Sequence, residues 1–120
     1  VAYCFSEVAG YSKFGSYTGN GSGDGTFVFT GFRPAWLLIK KSSAAGSWVL
    51  WDNKRNPHNV CDLDLNPNRS FQEGYYSNHD VDFLSNGFKL RSSDNTTNHN
   101  NYTYIFIAFA ESPFKNARAR

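Results

Sequence analysis

The chain has no methionine, only two cysteines, only four prolines and no apolar run long enough to cross a bilayer. Each shortage excludes something. With Met missing even at position 1, the chain reads as a processed product or a piece of a longer one. Cys4 and Cys61 are too few for a disulfide framework. Each lies among apolar or strand-like residues, so both read as buried free thiols. No membrane insertion is expected, and no signal peptide is visible. A net charge of +2 from scattered basic residues gives no nucleic-acid field. The Arg118/Arg120 pair reads as a solvated end. Also missing is any sustained helical period with caps.

What is plentiful is aromatic side chains, at 18% of residues, spread through short segments between Gly, Asn, Asp and Ser clusters. A chain of 120 residues with 40% hydrophobic content suits one domain, residues 1–120, with its own core. TGNGSGDG (Thr18 to Gly25) is a loop, because helices do not survive that density of glycine. TFVFTGF, AWLLIKK and SWVLWD read as a meander, with a break at Pro34 and a turn at Ser42 to Gly46. AWLLI and WVLW are apolar on both faces, so both surfaces should be covered, within the molecule or at a subunit contact. Trp48 and Trp51 fall on opposite strand faces, so at least one belongs to the core. VCDLDL (Val60 to Leu65) alternates like a short strand. VDFL and FKLR flank Asn86-Gly87, a dipeptide suited to a type I′ turn with positive φ. YTYIFIAFAE reads as a central strand stopped at Pro113. The fold class is therefore all-β: an antiparallel, jelly-roll-like β-sandwich of about seven or eight strands.

The chain nearly repeats a phrase at its two ends: Cys4-Phe5-Ser6-Glu7 and Ala108-Phe109-Ala110-Glu111. Residues 1–10 can thus be read as the last strand of a preceding tandem unit. The motifs GYSKFGSY, TGFRPA and AFAE, within VAYCFSEVAGYSKFGSYTGNGS, FVFTGFRPAWLLIK, WDNKRNP, DFLSNGFKLRS and YIFIAFAESPFKNARAR, carry a resemblance. Together they resemble the C-terminal domains of tail-fibre or virion structural proteins of marine phages, a domain of unknown function. The resemblance covers nearly the whole chain. It implies a virion setting at the particle surface and carries over no catalytic residue. It fades over residues 58–80 and 93–101, where partner-specific contacts would sit.

Glycoside cleavage needs two carboxyls roughly 5 to 9.5 Å apart. Asp62/Asp64 and Asp80/Asp82 are i, i+2 pairs, which a strand would place on one face roughly 7 Å apart. Alternating aspartates also mark the wet face of a half-buried strand, and that reading is preferred. Solvated turns account for Asp24 and Asn20 without Ca²⁺. His58, His79 and His99 lack zinc-ligand spacing and sit in polar loops. No cofactor, metal or catalytic residue is expected, and the chain does not read as an enzyme. Sugar binding wants an aromatic plate ringed by amides and carboxylates. Tyr75, Tyr76, Asn78, His79 and Asp80 offer that mixture in one loop, and the stretch Asp94 to Tyr102, with Asn98 and His99, offers it again. The expected work is assembly into a homo-oligomer, a trimer or fibre, with attachment to cell-surface glycan. A purely structural shaft or capsid-decoration subunit is the alternative, and a glycan depolymerase a third.

Overall fold

Seven strands fold into two antiparallel sheets in a computed structural model that describes residues 1–111. The strands are β1 (Ser12–Thr18), β2 (Phe27–Phe29), β3 (Pro34–Lys41), β4 (Trp48–Asp52), β5 (Val81–Leu84), β6 (Gly87–Leu90) and β7 (Thr103–Ala110). One sheet runs β1-β7-β3-β4 and the other β2-β6-β5. This is the two-layer all-β architecture expected, and no helix forms among the described residues. The expected stop at Pro113 and the Arg118/Arg120 end lie outside the described residues.

Side-chain alternation explains the layers. Along β3, Leu37 and Ile39 point inward at 0% exposure, while Trp36 and Leu38 face out and are half-buried. Along β4, Trp51 is fully buried and Trp48 is not, so the two tryptophans do lie on opposite faces. Strand β7 is central, between β1 and β3. Its inner residues Tyr104, Phe106 and Ala108 meet the second sheet, where Phe88 packs edge-on to Phe106 at 5.2 Å. Tyr17 stacks on Tyr104 at 5.2 Å across β1 and β7. Burying this many large rings is the main source of stability, at about 25 cal/mol per Å² of apolar surface.

The outer face of the larger sheet is also apolar: Phe14, Trp36, Leu38, Trp48, Leu50, Ile107 and Phe109 are half-buried, and Ile105 is 43% exposed. Residues 1–7 form no strand. They lie along this face, with Phe5 packed 6.2 Å from Phe14 and 5.9 Å from Phe109. The two phenylalanines of the repeated phrase therefore touch. Glu7 accepts a hydrogen bond from the Phe14 N–H at 3.1 Å and pairs with Lys13 at 3.5 Å, covering part of the free β1 edge. Cys4 is on this exposed arm, contrary to the expectation of burial, because the arm has nothing above it to cover it. Cys61 is buried and free, as expected.

The hairpin β5–β6 is where the sequence placed it, but its turn is different. Leu84 and Gly87 are the last pair, so Ser85 and Asn86 form the loop. Neither Asn86 nor Gly87 has positive φ, so the turn is not type I′. Gly87 is needed for space instead: a Cβ there would stand 2.1 Å from the Val28 carbonyl oxygen of β2.

VCDLDL is not a strand. It makes only isolated bridges, Cys61 with Val81 of β5 and Leu65 with Leu50 of β4. The segment crosses from the edge of one sheet to the edge of the other and closes that side of the sandwich. A chain that changes partner sheet midway loses the alternation of a ladder. Asp62 is accordingly exposed while Asp64 is 1% exposed.

Candidate functional site

The strand registers gather several loops at one end. Thr18 pairs with Thr103, Lys41 with Tyr104, Lys40 with Trp48, Val81 with Leu90, and Phe27 with Lys89. Loops 19–26, 42–47 and 91–102, and the end of the long 53–80 connection, therefore share this end.

A buried ionic bridge ties two of them together. His79 Nδ1 lies 2.8 Å from Asp64 Oδ2, and Nε2 lies 3.1 Å from Asp94 Oδ1. Burial alone would push the His79 pKa down. The hydrogen bonds and charges of the two carboxylates outweigh it and raise the value to about 9, so the ring is a cation at neutral pH. Burial would likewise raise Asp94, but hydrogen bonds from His79 and Thr96 hold it well below the carboxylate range. Asn78 Nδ2 donates to the other Asp94 oxygen at 2.8 Å, and Trp51 Nε1 donates to the His79 carbonyl at 2.9 Å. The base of the site is thus anchored in the core. The remaining Asp64 oxygen, Oδ1, finds no hydrogen-bond partner among the described residues.

On that base stands an aromatic cluster. Tyr76 lies 4.8 Å from the His79 ring, Tyr75 meets Tyr76 edge-on at 5.0 Å, and Phe71 stacks on Tyr75 at 4.3 Å. Tyr75 is 53% exposed and Tyr76 38% exposed. The ring stack fixes both tyrosines from one side and leaves their other surfaces to solvent.

The sequence-predicted residues divide accordingly. Tyr75, Tyr76 and Asn78 are at the surface together. Asp80 is half-buried, and burial, with Asp62 nearby, raises its pKa. His79, expected in a polar loop, is 1% exposed and is the anchor rather than part of the surface. Asn98 is fully buried: its Nδ2 donates to Asn20 Oδ1, Ser22 O and Ser92 O, each at 2.9 Å. It fastens the glycine loop 19–25 to the 91–102 loop and has no donor hydrogen to spare for a ligand. His99 is exposed, but its ring stacks on Tyr102 at 4.6 Å, away from the Tyr75/Tyr76 cluster. Sequence reasoning left out Phe71, weighed Asp64 only as one of a carboxylate pair, and placed Asp94 in a second loop without joining it to the first. The only available signal was the run of aromatic and acidic residues on either side of Tyr75.

The four aspartates weighed for glycoside cleavage differ in setting. Asp62 is exposed, Asp64 is buried against His79, and Asp82 is paired with Arg91 at 3.2 Å. The cleft of about 490 Å³ beside β1 and β2 carries Glu7 as its one carboxylate. The groove of about 500 Å³ between Tyr3, Leu38, Trp48, Pro67 and Asn68 carries none. Asp24 is turned toward Lys89 at 2.8 Å. Among the described residues no three His, Cys, Asp or Glu side chains stand together as metal ligands.

Fold and site together define an all-β sandwich domain with an aromatic loop cluster seated on its core. The chain belongs to DUF7483, a family of domains of unknown function, whose model matches residues 1–113. No curated protein and no solved structure matches it.

Proposed function

We propose that this domain attaches a virion fibre or related surface appendage to glycan on a host surface. The observation that carries the reading is the pair of exposed rings, Tyr75 and Tyr76, held on the buried Asp64–His79–Asp94 bridge. A pyranose presents an apolar face that stacks on such a ring, and its hydroxyls need amide and carboxylate partners around it. Asn78 and Asp80 supply them here. A platform already fixed by Phe71 and His79 loses little freedom when a ligand binds. A single shallow site binds weakly, and several copies on one particle convert modest affinity into avidity. The virion setting rests on the resemblance carried by GYSKFGSY, TGFRPA and AFAE. The test is a glycan array probed with the domain displayed on a multivalent carrier. Binding to a defined set of glycans that Tyr75→Ala and Tyr76→Ala each abolish is the expected result. A blank array, or hits indifferent to both substitutions, overturns the proposal.

A specific observation also favours assembly: the outer face of the β1-β7-β3-β4 sheet presents Trp36, Leu38, Ile105 and Phe109, with Tyr3 and Phe5 exposed beside it. Apolar patches of this kind mark contacts between chains. In this second reading the domain packs against copies of itself as a shaft or decoration subunit and touches no receptor. Light scattering separates the cases, since assembly requires a mass that is a multiple of 13.5 kDa.

A further inference from the structure

Strand β3 ends on a buried amine. The inward parity of Leu37 and Ile39 continues to Lys41, which is only 4% exposed. Its stem lies along Gly46, where a Cβ would stand 3.4 Å from Lys41 Cβ. Its Nζ lies 4.8 Å from the centre of the Tyr102 ring. A lysine at a strand end ordinarily snorkels its ammonium into water. Here Nζ instead donates to the side-chain oxygen of Asn95, a residue 54 positions away in the 91–102 loop.

Asn95 is held for this contact. Tyr104 Oη donates to its carbonyl oxygen at 2.8 Å, and the turn around it is closed by the Thr97 and Asn98 N–H groups on the Asp94 carbonyl at 3.2 and 2.8 Å. On the other side, Ser42 N donates to Thr103 O at 2.9 Å and pins the chain that follows Lys41. Both partners are therefore set on fixed backbone. The amide carbon lies one covalent bond beyond the oxygen that Nζ already touches, so the amine and the carbon it would attack are neighbours. Burial lowers the Lys41 pKa and outweighs the opposing charge of Asp94, enlarging the fraction of neutral amine, the nucleophilic form.

We infer that Lys41 and Asn95 form a covalent isopeptide cross-link between the end of β3 and the loop that leads into β7. Nζ attacks Asn95 Cγ, a new C–N bond forms, and the Cγ–Nδ2 bond breaks. The proton lost by Nζ passes to Nδ2, which leaves as ammonia. Amine and primary amide become secondary amide and ammonia, so neither oxidant nor reductant is needed. Asn95 is at the surface, so ammonia departs directly to solvent. The Asp94 carboxylate is occupied by Asn78, His79 and Thr96 and takes no part in the transfer.

The test is the intact mass of the purified full chain with a tryptic map. The expected mass is lower than that of the sequence by one ammonia. No cleavage should follow Lys41, and one branched peptide should join residues 41 and 95. Asn95→Ala and Lys41→Met should each restore the full sequence mass. The inference is overturned by an unmodified chain at full mass with ordinary cleavage after Lys41. Loss of ammonia traced to any asparagine with Lys41 still free overturns it equally. The decisive measurement is on the unsubstituted protein, so it does not depend on a variant folding.

Discussion

Raising the pH should weaken this domain through one side chain. His79 is cationic between Asp64 and Asp94, with its pKa raised from 6.5 to about 9. In the unfolded chain both carboxylates are gone and the ring titrates near its ordinary value. A group whose folded pKa is raised adds stability that is fully present below the unfolded pKa and vanishes as pH rises through the folded one. The difference corresponds to about 3 kcal/mol. That is a large share of the stability of a domain this size. The side chain is 2% exposed, so salt should screen the effect little. Urea melts at pH 6, 7.5, 8.5 and 9.5 read it directly. The unfolding free energy should fall from about pH 6.5 upward and be lower by about 3 kcal/mol in all at pH 9.5 than at pH 6. His79→Gln should destabilise by about 3 to 5 kcal/mol at pH 6, since the buried Asp64 and the half-buried Asp94 lose their cation, and should flatten the dependence above pH 7. Asp94 works in the opposite direction, because its pKa is lowered: its share of the stability is lost as pH falls below the ordinary carboxylate range. An unfolding free energy unchanged from pH 6.5 to 9.5, or a His79 ring titrating at or below 6.5 by NMR, would refute this account of the anchor.

Other measurements follow from the same structure. Trp51→Ala removes a fully buried indole and its bond to the His79 carbonyl, and should cost about 3 to 5 kcal/mol in urea melts. Gly87→Ala should separate β2 from β6, because its Cβ would meet the Val28 carbonyl at 2.1 Å; amide exchange at Val28 and Leu90 should rise well before that of Ile39. In the native domain a thiol reagent should label Cys4 quickly. Cys61, buried and with its pKa pushed up to about 11, should react only after unfolding, giving one fast thiol per chain and then two.

How far the sequence could be read depended on whether a ladder was present. Where a strand sits between two others, side-chain parity is fixed by the pleat, and the pattern reports burial directly. YTYIFIAFAE is central and AWLLIKK lies between β7 and β4, and both were legible as strands apolar on two faces; the inner face is covered and the outer face only in part, with Ile105 43% exposed. The same parity buries Lys41, two positions beyond Ile39, which the sequence reading did not single out because a charge at a strand end is ordinarily solvated. The same logic misled at VCDLDL. Its letters alternate as a strand's do, but it bridges Val81 of one sheet and Leu50 of the other, and no single pleat governs it. Composition of the connecting segment then says nothing of which aspartate goes in. What decides is the cation waiting there, and His79 lies 15 positions away in a stretch that looks wholly polar.

The candidate site shows the same division. Tyr75, Tyr76 and Asn78 were legible as a surface mixture because nothing in the loop argues for covering them. His79 and Asn98 were not legible as interior residues, since a long polar loop gives no period by which to sort its members. Their burial is a consequence of pairing. Asn98 can be enclosed because Asn20, Ser22 and Ser92 meet all that its amide nitrogen can donate, and His79 because two carboxylates hold its charge. Polar residues inside this loop end are therefore the structural members, and the aromatic ones are left at the surface, the reverse of the order that hydrophobicity alone assigns. That inversion is the physical reason to look for a ligand at Tyr75 and Tyr76: two rings that could have been buried under this loop are instead presented by it, on a base of one buried cation between a buried and a half-buried carboxylate.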